Sequence, residues 1–300
     1  MSHDWYRDWQ HDRHAVAFDI RAGLDDRNLV RNYEGFNDVR LLRERCAGRR
    51  AMTVLEVGCA TGEFFRYTQL RYPTAQYYGL DISRPALLRA KAKYPEGQFF
   101  LTDPGRPVSE TLRMLELPSH PEVVYCKDVV QHHTDPFGLL AQLVGAASES
   151  VIIRGRTRDV GASERDPALS CQYHYDGWMP YLVLNLQELI AHLQGLAPEA
   201  EIVVYRHHMV LGGQYQRYVP KALYLPQTGT AETAVGVFKQ TPHPGRVSVW
   251  DRRDHNPRYT WDYRLRHAAR QALNAWRLAP DTPKISAPVP STPHEVAPER

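Results

Sequence analysis

A chain of 300 residues has room for one ample hydrophobic core with appendages. Its net charge of +3 is too mild to mark a dedicated polyanion-binding protein, and no apolar run is long enough to span a bilayer. The N-terminus is dense in charge and tryptophan, so no signal peptide is expected. The four cysteines (Cys46, Cys59, Cys126, Cys171) form no Cys-x-x-Cys pair, so a reduced, cytoplasmic protein without internal repeats is expected.

Residues before about Arg50 read as helical, with Phe36, Val39, Leu42 and Cys46 on a rough apolar stripe. They are expected against a sheet edge or over a ligand site. From Thr53 to about Gly195, strands alternate with helices. Val54–Val57 is the first strand, and Glu63–Arg71 is its helix, stopped before Pro73. Gln76–Leu80 is the second strand, and Ser83 caps a helix with Pro85 in its first turn, where the missing N–H costs nothing. Gln98–Leu101 and Val123–Cys126 are the third and fourth strands. Asp135-Pro136 is an N-cap and N1 pair opening a helix to about Ala147, and Val151–Arg154 is the fifth strand. Asn185 caps Leu186–Leu193, which Gly195 is expected to end. Such alternation predicts an α/β, doubly wound, mostly parallel sheet with helices on both faces.

The stretch Thr53-Val-Leu-Glu-Val-Gly-Cys-Ala-Thr-Gly-Glu-Phe-Phe65, with Tyr77-Tyr-Gly-Leu-Asp81 after it, fits a nucleoside ligand. Gly58 allows a sharp turn, and Gly62 opens a helix whose first amides can receive an anionic group. A carboxylate at the tip of the second strand, Asp81, can accept both ribose hydroxyls. A dinucleotide site would need Gly-x-Gly-x-x-Gly, which this loop lacks. Glu56 at the strand end would repel a pyrophosphate but suits an ammonium and a sulfonium.

The Glu-x-Gly-x-x-x-Gly string resembles motif I of class I S-adenosylmethionine (SAM) methyltransferases, and Asp81 sits where that family keeps its ribose-binding acid. The resemblance implies a seven-stranded sheet closed by an antiparallel terminal hairpin. Three segments, Glu201–Val210, Lys221–Leu225 and Ala234–Lys239, compete for its last two slots. It implies SAM as cofactor, held by Glu56, Gly58, Cys59, Ala60, Gly62, Asp81, Ile82 on one adenine face, Asp103 at the adenine amino group, and Lys127 at the methionine end. Many members carry glycine where this chain has Ala60. Asp103 stands in Asp-Pro-Gly, where loop capping is an equal alternative.

Val123-Val-Tyr-Cys-Lys-Asp-Val-Val-Gln-His-His-Thr-Asp-Pro136 resembles motif IV of small-molecule methyltransferases, and His132 aligns with that motif's histidine. Methyl transfer from an activated sulfonium mainly requires alignment, while an alcohol or phenol acceptor also needs a base, for which His132 or His133 is the first candidate. The segment Cys171-Gln-Tyr-His-Tyr-Asp-Gly-Trp-Met-Pro-Tyr181, with His174 and Asp176, suits the lining of an acceptor site. Arg154 and Arg156 are candidates to grip an acceptor anion. No metal site is expected, because neighbouring histidines point apart.

Four segments follow: a helical cap at 1–50, the methyltransferase domain at 51–243, an arginine- and aromatic-rich helical extension at 244–279 and a disordered tail at 280–300. Eight arginines against three aspartates between Arg246 and Arg277 suit nucleic acid, but a docked amphipathic helix is favoured. The expected function is methyl transfer to a small-molecule acceptor at oxygen or nitrogen. A nucleic-acid acceptor or a non-catalytic SAM-binding role is the alternative, and the oligomeric state is left open.

Overall fold

Apolar residues alternate with a period of two along the strands, and this sorts the molecule into layers. The computed structural model describes residues 5–19, 23–49, 51–174, 177–208 and 229–251, with the single positions Leu265 and Ala269. A 3-10 turn at Arg7–Gln10 leads into α1 (Asp12–Phe18), α2 (Asp26–Glu34) and α3 (Asn37–Cys46). Then β1 (Thr53–Val57), α4 (Glu63–Arg71), β2 (Gln76–Asp81), α5 (Arg84–Lys93), β3 (Gln98–Leu101), α6 (Val108–Met114), β4 (Val123–Lys127), α7 (Pro136–Ala146) and β5 (Ser150–Arg158) alternate. An antiparallel hairpin of β6 (Cys171–His174) and β7 (Gly177–Pro180) precedes β8 (Leu184–Asn185), α8 (Leu186–Leu196), β9 (Glu201–His208), β10 (Ala231–Phe238) and β11 (Val247–Asp251).

The main sheet runs β11-β9-β10-β5-β4-β1-β2-β3, with β8 on the far end of β5. Among its described strands only β10 is reversed, pairing antiparallel with both β5 and β9. Leu55, Val57, Val124, Cys126, Val151 and Ile153 point to one face and pack with α6, α7 and α8. Val54, Val123, Tyr125 and Ile152 point to the other, under α2, α3, α4 and α5. Strand order reverses between β1 and β4, so the crevice for a ligand opens at their carboxyl ends.

The expected doubly wound fold and terminal hairpin are present, with corrections. Among the described residues the sheet has nine strands, not seven: β8 and β11 are additional, and β11 runs parallel to β9. Its Val-Ser-Val-Trp-Asp alternation is a strand signal that the surrounding arginines obscure. Glu201–His208 and Ala231–Phe238 fill the two terminal slots, while Lys221–Leu225 lies outside the described residues. α8 continues through Gly195 to Leu196, with Ala197 as its C-cap, because Leu193 and the residues before it are held by the core. β5 runs to Arg158, four residues past the expected end. Arg154 and Arg156 interrupt its apolar run, but carboxylates on neighbouring elements balance them. Most of the C-terminal extension and the whole tail from 280 lie outside the described residues.

The N-terminal helices lie on the sheet's face, not its edge. α3 packs across β5, β10 and β9 through buried Val39, Leu42 and Cys46, while α2 packs on α4 and α1 on α5. Phe64 is the hinge of this layer. Its ring stacks on Tyr125 at 3.9 Å and 7°, and Tyr33 of α2 closes on it at 5.8 Å. Phe64→Ala removes a fully buried aromatic and is expected to lower unfolding free energy by about 3–5 kcal/mol, read as a fall in the urea midpoint.

Candidate functional site

The β1–α4 loop is shaped by left-handed backbone. Gly58 has φ 85° and Gly62 φ 83°, and a Cβ on Gly58 would stand 2.2 Å from Val129 Cγ2. Ala60 between them also has positive φ, 46°, a conformation that glycine takes without penalty and that costs a residue with a Cβ. Asp81, at the tip of β2, ties the loop down. Its Oδ2 accepts the Ala60 amide at 2.8 Å and its Oδ1 the Ser83 amide at 2.7 Å. Burial pushes the Asp81 pKa up, and the amides of Ser83, Ala60 and Ile82 oppose that shift.

Above this loop lies a cavity of about 380 Å³ at the strand carboxyl ends. Glu56, Gly58, Cys59, Ala60, Asp81, Ile82, Asp103 and Lys127 all line it, as do His132 and His133. Gly62 is not among the lining residues; it caps α4, and a Cβ there would meet the Phe99 ring at 2.8 Å. Only the backbone of His174 is described, so its side chain, with Tyr175 and Asp176, lies outside the described residues.

Glu56 is buried in the cavity wall and accepts a hydrogen bond from the Tyr77 hydroxyl. Burial raises its pKa from 4.5 to about 8, against the lowering influence of Tyr77 and Lys127. Asp103 Oδ1 accepts the Gly105 amide at 2.8 Å, so the loop cap is formed while the residue also faces the cavity. The Cys59 thiol is pushed well above its ordinary pKa by burial and stays protonated.

The two histidines differ. His132 Nδ1 lies 2.7 Å from the Pro180 carbonyl, which can only accept. The proton is therefore on Nδ1, and Nε2 is the basic nitrogen. Its ring meets Trp9 edge-on at 5.3 Å. His133 is held within its own turn, with Nδ1 2.7 Å from the Asp135 carbonyl and 3.0 Å from the Asp135 amide, and burial lowers its pKa.

Arg154 and Arg156 are both engaged by internal carboxylates; Arg154 also lines the cavity, and Arg156 is not among its lining residues. Arg154 pairs with Asp128 and lies 3.6 Å from both Asp38 and Glu232. Arg156 lies 3.3 Å from Asp128 and 3.4 Å from Glu232. Burial disfavours the Asp128 carboxylate, but the two guanidiniums outweigh it and hold its pKa well below the usual range.

Of the two places expected for the N-terminal segment, its start takes the one over the ligand site, through two residues that sequence reasoning did not name. Tyr6 and Trp9 line the cavity from the N-terminal segment. Tyr6 hydrogen-bonds Thr134 at 2.9 Å, and Gln10 Nε2 donates to the Ile82 carbonyl at 2.6 Å. The Trp5-Tyr6-x-x-Trp9 density of aromatics was the available signal, but nothing local says what those rings cover.

Residues 55–150 match a family described as methyltransferase domain. No curated protein matches the chain. Among solved structures, phosphoethanolamine N-methyltransferase 2 of Haemonchus contortus, in complex with phosphomonomethylethanolamine and S-adenosylhomocysteine, is 13% identical with a TM-score of 0.51. That alignment covers 79% of this chain and 59% of that one. Magnesium protoporphyrin IX methyltransferase from Synechocystis PCC 6803, with bound SAM, is 15% identical over 77% of this chain and 94% of that one, with a TM-score of 0.46. The N-terminal domain of EvdMO1 with S-adenosylhomocysteine bound is 15% identical over 72% and 98%, with a TM-score of 0.47. The chain thus carries a methyltransferase domain on a Rossmann-like sheet, and the cofactor such a domain takes is SAM. Among the described residues no helix is long and apolar enough to cross a membrane.

The raised Glu56 pKa sets a pH dependence. Between about 4.5 and about 8 the folded state holds a proton that the unfolded state has released, so this residue's contribution to stability falls as pH rises through that window. Glu56→Gln lacks that loss. Thermal melts of the ligand-free protein at pH 5 and pH 8 are expected to show the variant gaining on the wild type at the higher pH.

Proposed function

We propose that the chain, whose residues 55–150 form a methyltransferase domain, transfers a methyl group from SAM to a small-molecule acceptor at oxygen or nitrogen. Asp81 carries this reading. A carboxylate offers about four lone-pair sites, and the Ala60 and Ser83 amides bond one to each oxygen with the Ile82 amide beside them, so the acid is fixed in the cavity wall with acceptor capacity left for a ribose hydroxyl. The cavity has the volume of a small-molecule site, and the acid at Glu56 lies in its wall.

In this reading Asp81 holds the ribose and Glu56 the amino group, and the Gly58–Ala60 backbone follows the thioether. Ile82 covers the adenine, and Asp103 uses its remaining acceptor sites on the exocyclic amine. Residues 51–243, with the edge strand β11 (Val247–Asp251), make up the catalytic domain and 1–50 its cap. When bound, SAM supplies an electrophilic methyl group on a sulfonium. The protein's task is alignment and exclusion of water, which Tyr6 and Trp9 serve from above. That roof favours a compact acceptor over a nucleic-acid strand.

His132 is the proposed base. Pro180 fixes its tautomer, and Nε2 would take the proton of a hydroxyl acceptor as its oxygen bonds to the methyl, or the proton of an ammonium before the freed amine attacks. His133 serves to hold its turn. The test is incubation with SAM and a panel of phenols, alcohols and amines, with release of S-adenosylhomocysteine (SAH) as readout. Turnover with a member of the panel supports catalysis, and its absence across the panel speaks for a binding role. On an acceptor that is turned over, His132→Ala is expected to lower the rate by about 10²–10⁴ with SAH affinity unchanged. An unchanged rate contradicts the assignment.

A further inference from the structure

The N-terminal segment crosses the crevice and is fastened on both of its sides. One side is the β2–α5 loop and α5. There Gln10 donates to the Ile82 carbonyl at 2.6 Å and accepts the Arg84 amide at 3.3 Å. Arg89 reaches both oxygens of Asp12 at 3.1 Å, and Lys93 pairs with Asp19. The other side is the turn after β4. There the Tyr6 hydroxyl meets that of Thr134 at 2.9 Å and accepts the Thr134 amide at 3.0 Å, while Trp9 lies edge-on to His132.

These fastenings are mostly polar and near the surface. Among the described side chains of residues 5–19 only Ala15 is fully buried, whereas α3 alone buries Val39, Leu41, Leu42 and Cys46. Exposed ion pairs and hydrogen bonds contribute little each, so opening this segment costs less than opening α3. Moving covers of binding sites are drawn from segments of that kind.

The fastenings also end on the cavity wall. Ile82 and Glu63 line the cavity, as do Tyr6 and Trp9 themselves. Lys93 Nζ donates to Glu63 at 3.0 Å while it pairs with Asp19, so one ammonium joins the segment to the first turn of α4. A ligand in the cavity meets Tyr6 and Trp9 only while the segment is down. Such a difference in contact between two states is what shifts an opening equilibrium.

We propose that residues 5–19 are a strap that opens to exchange the cofactor and closes over it, with Gln10 and Lys93 as latches, so that strap opening sets the rate at which SAH leaves. This inference rests on the SAM reading above and adds a control of ligand exchange to it. Neither Gln10 nor Lys93 is among the cavity-lining residues, so replacing either acts on the ligand through the strap.

The full-length wild type, Gln10→Ala and Lys93→Met are compared by amide hydrogen exchange with and without saturating SAH, and by chasing radiolabelled SAH with unlabelled SAH. In the wild type SAH is expected to slow exchange across residues 5–19 more than across α3. Each variant is expected to release SAH about two- to tenfold faster, the range for losing a tethering hydrogen bond, and to exchange faster at 5–19 in the complex. Thermal melts verify folding. Exchange at 5–19 that is indifferent to SAH, or release from the folded variants at the wild-type rate, would overturn the strap while leaving the pocket's assignment intact. Failure of the wild type to bind SAH would overturn the SAM reading and this inference together.

Discussion

The Asp81 carboxylate is the constraint on which the site depends. It sits at the tip of β2, the strand next to the point between β1 and β4 where the order reverses, and its two oxygens hold the amides of Ala60 and Ser83. One bond reaches the β1–α4 loop and the other the N-cap of α5, so a single half-buried acid joins two successive crossovers. The left-handed backbone at Gly58, Ala60 and Gly62 is the shape the loop takes under that tie. Strain at Ala60, about 1–2 kcal/mol for a residue with a Cβ, is offset by a charge-assisted hydrogen bond of similar size.

A second buried electrostatic arrangement supports the far side of the cavity. Asp38 of α3, Asp128 after β4 and Glu232 of β10 surround Arg154 and Arg156 of β5, and the Tyr125 hydroxyl donates to Asp38. Breaking such a cluster by removing one member is costly, because a charge is then left buried without its partner. The cluster explains how a strand bearing two arginines lies inside the sheet, and why α3 lies over its face. It also keeps the Asp128 backbone, at φ 57°, in place between Lys127 and the His132 turn.

Much of the fold was legible because its signals are local. The β1 and β2 runs, the Ser83, Asp135 and Asn185 caps and the Gly58 turn each declare themselves within a few residues. The cavity-lining acids at Glu56 and Asp81 were legible for the same reason: each closes an apolar strand. Illegible features depend on distant partners. The contact of Gln10 with Ile82 spans 72 residues and that of Tyr6 with Thr134 spans 128, so the roof leaves no periodic trace. Arg154 and Arg156 looked like ligand-gripping groups because the carboxylates that engage them come from three separate elements. Short α6 and β11 fell below the length at which periodicity speaks clearly.

The most direct test of the central claim is calorimetric titration of SAH into the wild type and Asp81→Ala, with NADH as control. Tight SAH binding, no uptake of NADH and an affinity loss of about ten- to a hundredfold in the variant are the expected results, corresponding to about 1.5–3 kcal/mol for a contact to a charged group. No SAH binding by the folded wild type, or binding indifferent to Asp81, would contradict the assignment of this cavity to the cofactor.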